Sequence, residues 1–224
     1  MAGPWQWTGT TLSVPVTTGL LGGSFNPAHK GHRAISDRAL AALNLDELWW
    51  MVSPGNPLKA NATDMAPLPA RLASAQRQSR RSRIKATAIE REFGTVYTID
   101  TLRKLVARYP KRRFIWIIGG DNLVQLHKWR HWRQIARIMP IAVIARPGYN
   151  ACAVAAPAMA WFRRYVHRTG QHRNWTHWST PALVMLRFRP DPHSATAIRR
   201  ADPHWHSQFS GRLVRDDVSH KLLR

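Results

Sequence analysis

The stretch that most constrains what this chain can fold into is Gly22-Gly23-Ser24-Phe25-Asn26-Pro27-Ala28-His29-Lys30-Gly31-His32. Ahead of it, residues 16–21 are mostly apolar or β-branched and predict a short buried strand closed by two glycines. Behind it, Ile35, Ala39, Leu40 and Leu43 fall near one face and predict a helix over 33–43. A strand–loop–helix crossing of this kind lies beyond the carboxyl end of a strand, where open α/β sheets bind ligands. Gly23 lets backbone N–H groups come close to a phosphate, with Ser24 and Phe25 continuing the turn, and the helix N-terminus adds donors and a partial positive charge. If the first helical turn begins at the histidines, His29 and His32 share a face. Two imidazoles on such a turn suit phosphoryl or nucleotidyl transfer, where stabilising charge outweighs covalent chemistry. A plain structural turn carrying two surface histidines stays open on these residues alone. The stretch is neither a P-loop nor the dinucleotide Gly-x-Gly-x-x-Gly. His-x-x-His with no nearby cysteine or acid also argues against zinc, so no metal-ligand set is expected.

The charge balance points to anionic partners. Lys and Arg number 34 against 12 Asp and Glu, a net charge of +22. The cations are scattered, with small clusters at Arg80-Arg81, Lys111-Arg112-Arg113 and Arg163-Arg164, and no long like-charge block. A solvated basic surface is therefore expected, rather than a dedicated nucleic-acid stripe. No apolar run approaches the ~18 residues of a membrane span, and no secretory leader is visible at the N-terminus. The lone Cys152 has no partner for an internal disulfide, which points to the cytoplasm.

Residues 1–15 read as a mobile N-terminal extension, and 16–224 as a single domain. Further strands are expected over 46–52, 83–89, 114–118, 141–145 and 182–188, and helices over 68–80, from a Thr98 cap to about 108, and over 151–166. Residues 90–94 read as a turn, 122–138 as two short helical pieces, 167–181 as a polar connection, and the tail as ending in a short helix from Asp216. Histidines 167, 172 and 177 lack metal-ligand spacing. The alternation predicts an α/β fold with one parallel, doubly wound, Rossmann-like sheet. Three loops fall on the ligand side. Asn56 and Lys59 follow the second strand, with Lys59 either a solvated lysine or an anion contact. Asp121 follows Gly119-Gly120 and suits a ribose hydroxyl or a helix cap. Ser194 and Thr196 open a late helix beside the forked cation of Arg199, a second phosphate-binding helix start.

Gly22 to His32 resembles the signature of the HxGH nucleotidyltransferases, and specifically of bacterial nicotinate-nucleotide adenylyltransferases. Ser194-Ala195-Thr196-Ala197-Ile198-Arg199 is similar to that family's Ser-Ser/Ala-Thr-x-x-Arg motif. Tyr97-Thr98, Ile118-Gly119-Gly120-Asp121, Trp129 and Arg146-Pro147-Gly148-Tyr149 fall between them in the family's order. The resemblance implies transfer of AMP from ATP, with Mg²⁺, to nicotinate mononucleotide in NAD biosynthesis. By position it assigns catalysis to His29 and His32. It gives ATP binding to Gly23, Ser24, Phe25, Asp121, Ser194, Thr196 and Arg199, and acceptor binding to Asn56, Lys59, Thr98 and Trp129. The chain has Asn56-Pro57-Leu58-Lys59 where the family often has Pro-Pro-His-Lys. Two other readings stay open: a sister enzyme acting on nicotinamide mononucleotide or another phosphate acceptor, and a basic nucleic-acid-binding protein on this scaffold.

Overall fold

A computed structural model describes residues 15–55, 64–145, 155–188 and 193–223. β1 (Val16–Gly23) runs through the middle of a seven-stranded sheet, between β2 (Glu47–Val52) and β4 (Arg112–Gly119). β3 (Ile84–Thr87) lies outside β2. Beyond β4 come β5 (Ile141–Ala145), β7 (Leu183–Arg187) and β6 (Val166–His167), in that order. Every pairing in this sheet is parallel, so the expected doubly wound, Rossmann-like α/β domain is what forms. The chain steps outward from β1 to β3 and then returns to β4 beside β1. The loops leaving β1 and β4 therefore part at a switch point, and ligand sites form in that crevice.

A parallel sheet covered on both faces needs nearly continuous apolar strands, and β2 is buried along its whole length. Successive side chains alternate between faces. Leu21, Trp50 and Ile117 pack with α1 (Lys30–Ala42) and α2 (Leu68–Ser79). Leu20, Trp49 and Trp116 face α4 (Thr98–Arg108), α5 (Gly120–Gln125), α6 (Trp132–Ile138) and α7 (Pro157–Phe162). Adjacent Trp49 and Trp50 thus serve opposite cores, and burial of each contributes about 3 kcal/mol. A Cβ at Gly22 would sit 2.9 Å from the Trp116 ring, so only glycine lets β1 lie this close to it.

Several sequence expectations need correction. β3 ends at Thr87, and the expected 90–94 turn is a short helix, α3 (Ile89–Phe93), closed by Gly94 at φ 61°. Thr98 is not a cap: Tyr97 holds the N-cap position, without a side-chain bond, and Thr98 is already helical. Within 151–166 the described helix is α7 alone, followed by a tighter 3-10 turn, Arg163–Tyr165, and then β6. The 167–181 connection holds a 3-10 segment, Thr169–His177, anchored by the buried Trp175, whose Nε1 donates to Leu43 O at 2.9 Å. His167 stacks flat on Trp178, centroids 4.0 Å apart.

The tail forms no helix at Asp216. Instead β8 (Val214–Arg215) and β9 (Leu222–Leu223) make an antiparallel pair. The Asp216 carboxylate is buried and accepts from Thr87 Oγ1, the Ala88 N–H and the Val218 and Ser219 N–H groups. A carboxylate used both to stop β3 and to close the tail's turn leaves no reason for a helix there. Of the expected extension over 1–15, residues 1–14 lie outside the described residues. Among the described residues no helix is long and apolar enough to cross a membrane.

Candidate functional site

The β1–α1 turn is built on its own side chains. Phe25 adopts φ 46°, a left-handed conformation that bulky residues rarely take, and is held there by burial and by stacking on Trp50 at 5.1 Å. His29 is the N-cap of α1. Its Nδ1 accepts the Gly31 N–H at 3.2 Å, while His32 Nδ1 accepts the His29 N–H at 3.2 Å. This is the logic of a capping box carried out by two imidazoles. With each Nδ1 an acceptor, the hydrogen-bond pattern assigns the ring proton to Nε2 in both. The two rings lie 3.9 Å apart, and His32 also leans on Phe25 at 4.9 Å. Below, Trp50 Nε1 donates to Ser36 Oγ, which donates to the His32 carbonyl. The histidines are thus fixed by the turn they cap, each with its Nδ1 turned to the backbone.

A buried arginine that sequence reasoning missed ties three loops around this turn. Arg71, on α2 and only 1% exposed, donates from Nη1 to Ser24 O (2.9 Å) and Ser53 O (2.6 Å). Its Nη2 donates to Pro54 O, and its Nε to Ala66 O at 2.8 Å. Burial pushes this guanidinium down to about 10. The loops after β1 and β2 and the strap before α2 are therefore held through their carbonyls. Asn26 adds a second tie, donating to Asp64 O and accepting the Ala66 N–H.

The late motif meets the same strap. Ser194 caps α8 (Ala195–Ala201) by accepting the Ala197 N–H, as a helix-start serine should. Arg199 donates from Nη1 to the Asn26 carbonyl at 2.7 Å and pairs through Nε with Asp64 at 2.9 Å. The first and last motifs, far apart in sequence, are in direct contact. Thr196, Arg199 and Arg200 line a cavity of about 520 Å³ with Asp64, His204 and Trp205.

On the other side of the switch point, Asp121 sits in the first turn of α5, so Gly119 and not Asp121 is the N-cap. Its carboxylate folds back over Gly119, where a Cβ would collide with Oδ1. The half-buried Thr98 opens α4, and the half-buried Trp129 leans on the second core. Asn56 and Lys59, with Arg146 to Tyr149, lie outside the described residues. Glu90 was also missed: this half-buried carboxyl of α3 is pushed by desolvation up to about 7. Arg71 and Glu90 carried no sequence signal, unlike the histidine pair, Asp121, Thr98, Trp129 and the Ser194–Arg199 helix. Arg71 and Glu90 each sit among other polar residues of α2 and α3, and nothing near them in sequence sets them apart.

No three His, Cys, Asp or Glu side chains converge as a metal group among the described residues. The donors that do converge are N–H groups, a set that suits phosphate oxygens.

Residues 20–201 match the cytidylyltransferase-like family. A protein of Erythrobacter litoralis named as a probable nicotinate-nucleotide adenylyltransferase is 58% identical over 95% of this chain and 96% of its own. One of the same name from Parvibaculum lavamentivorans is 45% identical over 84% and 93%. Among solved structures, Plasmodium falciparum nicotinic acid mononucleotide adenylyltransferase complexed with NaAD superposes with a TM-score of 0.61 over 83% of each chain. At 14% identity that likeness speaks for the fold.

Proposed function

Because the chain belongs to the nicotinate-nucleotide adenylyltransferases, nucleotidyltransferases of NAD biosynthesis, we propose that it transfers AMP from ATP to nicotinate mononucleotide. The products are nicotinate adenine dinucleotide and pyrophosphate. The observation that carries the proposal is the locked histidine pair at the β1–α1 turn, in contact through Asn26 with Arg199 of the last motif.

In the proposed step an oxygen of the mononucleotide phosphate attacks the α-phosphorus of ATP in line. A new P–O bond forms, the bond to the bridging oxygen of the β-phosphate breaks, and its electron pair leaves with pyrophosphate. The attacking oxygen is already anionic, so no general base is needed, and catalysis is positioning and charge stabilisation. His29 and His32 donate Nε2–H groups to the α-phosphate region and the leaving oxygen. They act through Nε2, since the caps occupy each Nδ1. Gly23, Ser24 and Phe25 line the nucleotide with backbone. Ser194, Thr196 and Arg199 hold the β- and γ-phosphates. Arg199 does so with the N–H groups not given to Asp64 and Asn26, or by exchanging Asp64 for phosphate. Asp121 takes a ribose hydroxyl of the adenosine. Thr98 and Trp129 receive the nicotinate, and Asn56 and Lys59 belong to the acceptor side.

Mg²⁺ would enter as a companion of the triphosphate, held mainly by phosphate oxygens and water as that ion prefers, and would neutralise phosphate charge. Asp64 is the acid on the phosphate side that could reach it. The reaction belongs to the cytoplasm, in keeping with a sequence that has a single cysteine.

The test is pyrophosphate release from ATP and Mg²⁺ with nicotinate mononucleotide or nicotinamide mononucleotide. Release with the acid is expected. Release with neither would remove the proposal, and release with the amide alone would overturn the account of the base pocket. Inversion at an isotopically chiral α-phosphate is expected, and net retention would instead demand a covalent intermediate.

A further inference from the structure

We infer that the side chain of Arg130 is a specificity-determining group that selects an acceptor bearing a carboxylate over its amide. The inference rests on the function proposed above and names what distinguishes acid from amide at that site. Arg130 Cζ lies 4.7 Å from the centroid of the Tyr97 ring, over its face. Tyr97 is the N-cap residue of α4 and precedes Thr98, while Arg130 follows Trp129. The two residues assigned to the nicotinate are thus bridged by one guanidinium–phenol stack.

The stack is held from both sides. Trp129 N–H donates to Leu126 O at 3.0 Å and Trp132 N–H to Trp129 O at 3.2 Å, which pins the backbone around Arg130 in a tight turn. His131 completes that turn at φ 51°. Arg103 of α4 donates to Gln134 of α6 at 2.6 Å, tying together the two helices that follow the pair. Tyr97 is 39% exposed and Arg130 is exposed too, so the stack is open to solvent and to a bound molecule rather than buried in the core.

Among the described residues no carboxylate pairs with Arg130. Asp100, in the first turn of α4, faces Arg103 instead, at 4.0 Å. A guanidinium lying on an aromatic face keeps its in-plane N–H groups for another partner. That planar fork matches the two oxygens of a carboxylate, and charge assistance strengthens both bonds. A carboxamide offers the fork one acceptor and turns an NH₂ donor against it. The contrast between acid and amide is therefore both a lost bond and a donor–donor clash.

Steady-state kinetics with both mononucleotides test this in wild type, R130Q and R130K, with KM for ATP and the thermal midpoint measured alongside. R130Q should lower kcat/KM for nicotinate mononucleotide about tenfold or more, through KM, and leave the amide within about twofold. R130K, which keeps charge without the fork, should fall between. Equal losses for acid and amide, or unchanged acid preference in R130Q, would overturn the role of Arg130 while leaving the adenylyl-transfer function intact. Wild-type protein that turns over neither mononucleotide would overturn both together.

Discussion

The two halves of the sheet, on either side of the boundary between β1 and β4, are held together by different forces. On the β3–β2–β1 side, polar side chains tie loops by their backbones. Arg71 gathers carbonyls from three loops, Asn26 clamps the 64–66 strap, and Asp216 stops β3. Glu47 accepts from Trp49 Nε1 and pairs with Lys85 and Arg112. On the β5–β7–β6 side the ties are aromatic: Trp161 meets Trp132, Phe162 and Tyr165, all with ring centroids within 5.2 Å. The chain carries no acidic residue between Asp121 and Asp191, so that side has no internal ion pairs to make. The contrast teaches where rigidity is needed. Loops that offer N–H groups to phosphate turn their carbonyls inward, and those carbonyls need buried donors. The aromatic side is instead held by shape, which packed rings provide.

Removing one tie from each half separates their roles. R71L leaves carbonyls of three loops unsatisfied and should cost about 3–5 kcal/mol in urea unfolding. F162A empties part of the second core and should cost about as much. The two should part in kinetics. In whatever fraction stays folded, R71L should raise KM for ATP strongly because the phosphate loops loosen, whereas F162A should leave that KM within about twofold. Equal effects on ATP would show that the halves are not specialised.

Next comes the histidine pair. H32A should lose about 100- to 1,000-fold in kcat, the usual scale for one oriented donor to a developing charge. Its stability should fall by only about 1 kcal/mol, the worth of a lost cap. H29N keeps an acceptor at the N-cap and should fold like wild type while still losing turnover. Wild-type turnover in H32A would refute the proposed role of the pair.

Glu90 sharpens the comparison through pH. Burial raises its carboxyl from an ordinary 4.5 to about 7. Below about 4.5 it is neutral whether the chain is folded or not. Between there and about 7 the unfolded chain gives up the proton and the folded chain keeps it, so stability falls as pH rises through this window and levels off above it. E90Q should remove that slope and be more stable than wild type at pH 8 by up to about 3 kcal/mol, with little difference at pH 4.5. Denaturant melts at the two pH values decide it, and an unchanged slope would mean that Glu90 does not titrate in this way.

What was legible in the sequence follows from how local the chemistry is. The β1–α1 turn is written in adjacent letters, so its ligand side and its histidines could be read directly. So could the sheet, because parallel strands buried on both faces leave unbroken apolar runs. Arg71, by contrast, depends on carbonyls at 24, 53, 54 and 66, which no spacing along α2 reveals. Asp216 looked like a helix start because its true partners, Thr87 and Ala88, lie far away in sequence at the end of β3 and the start of α3. Thr98 looked like a cap by residue type alone, yet the backbone had already turned helical there.

The smallest effect tests the seam between the halves. Trp175 belongs to the acid-free side, but its Nε1 donates to the carbonyl of Leu43, at the end of α1, the helix that starts at the histidines. It is 2% exposed, so neither partner has water to turn to. W175F keeps most of the packing and removes the donor, leaving one buried carbonyl unpaired, for a loss of about 1 kcal/mol. Because the far end of α1 is anchored separately by Leu40 and Leu43 in the core, turnover should stay within about twofold. A large loss of kcat in W175F at unchanged stability would mean that the aromatic half positions the histidines through α1, and the division of labour between the halves would have to be redrawn.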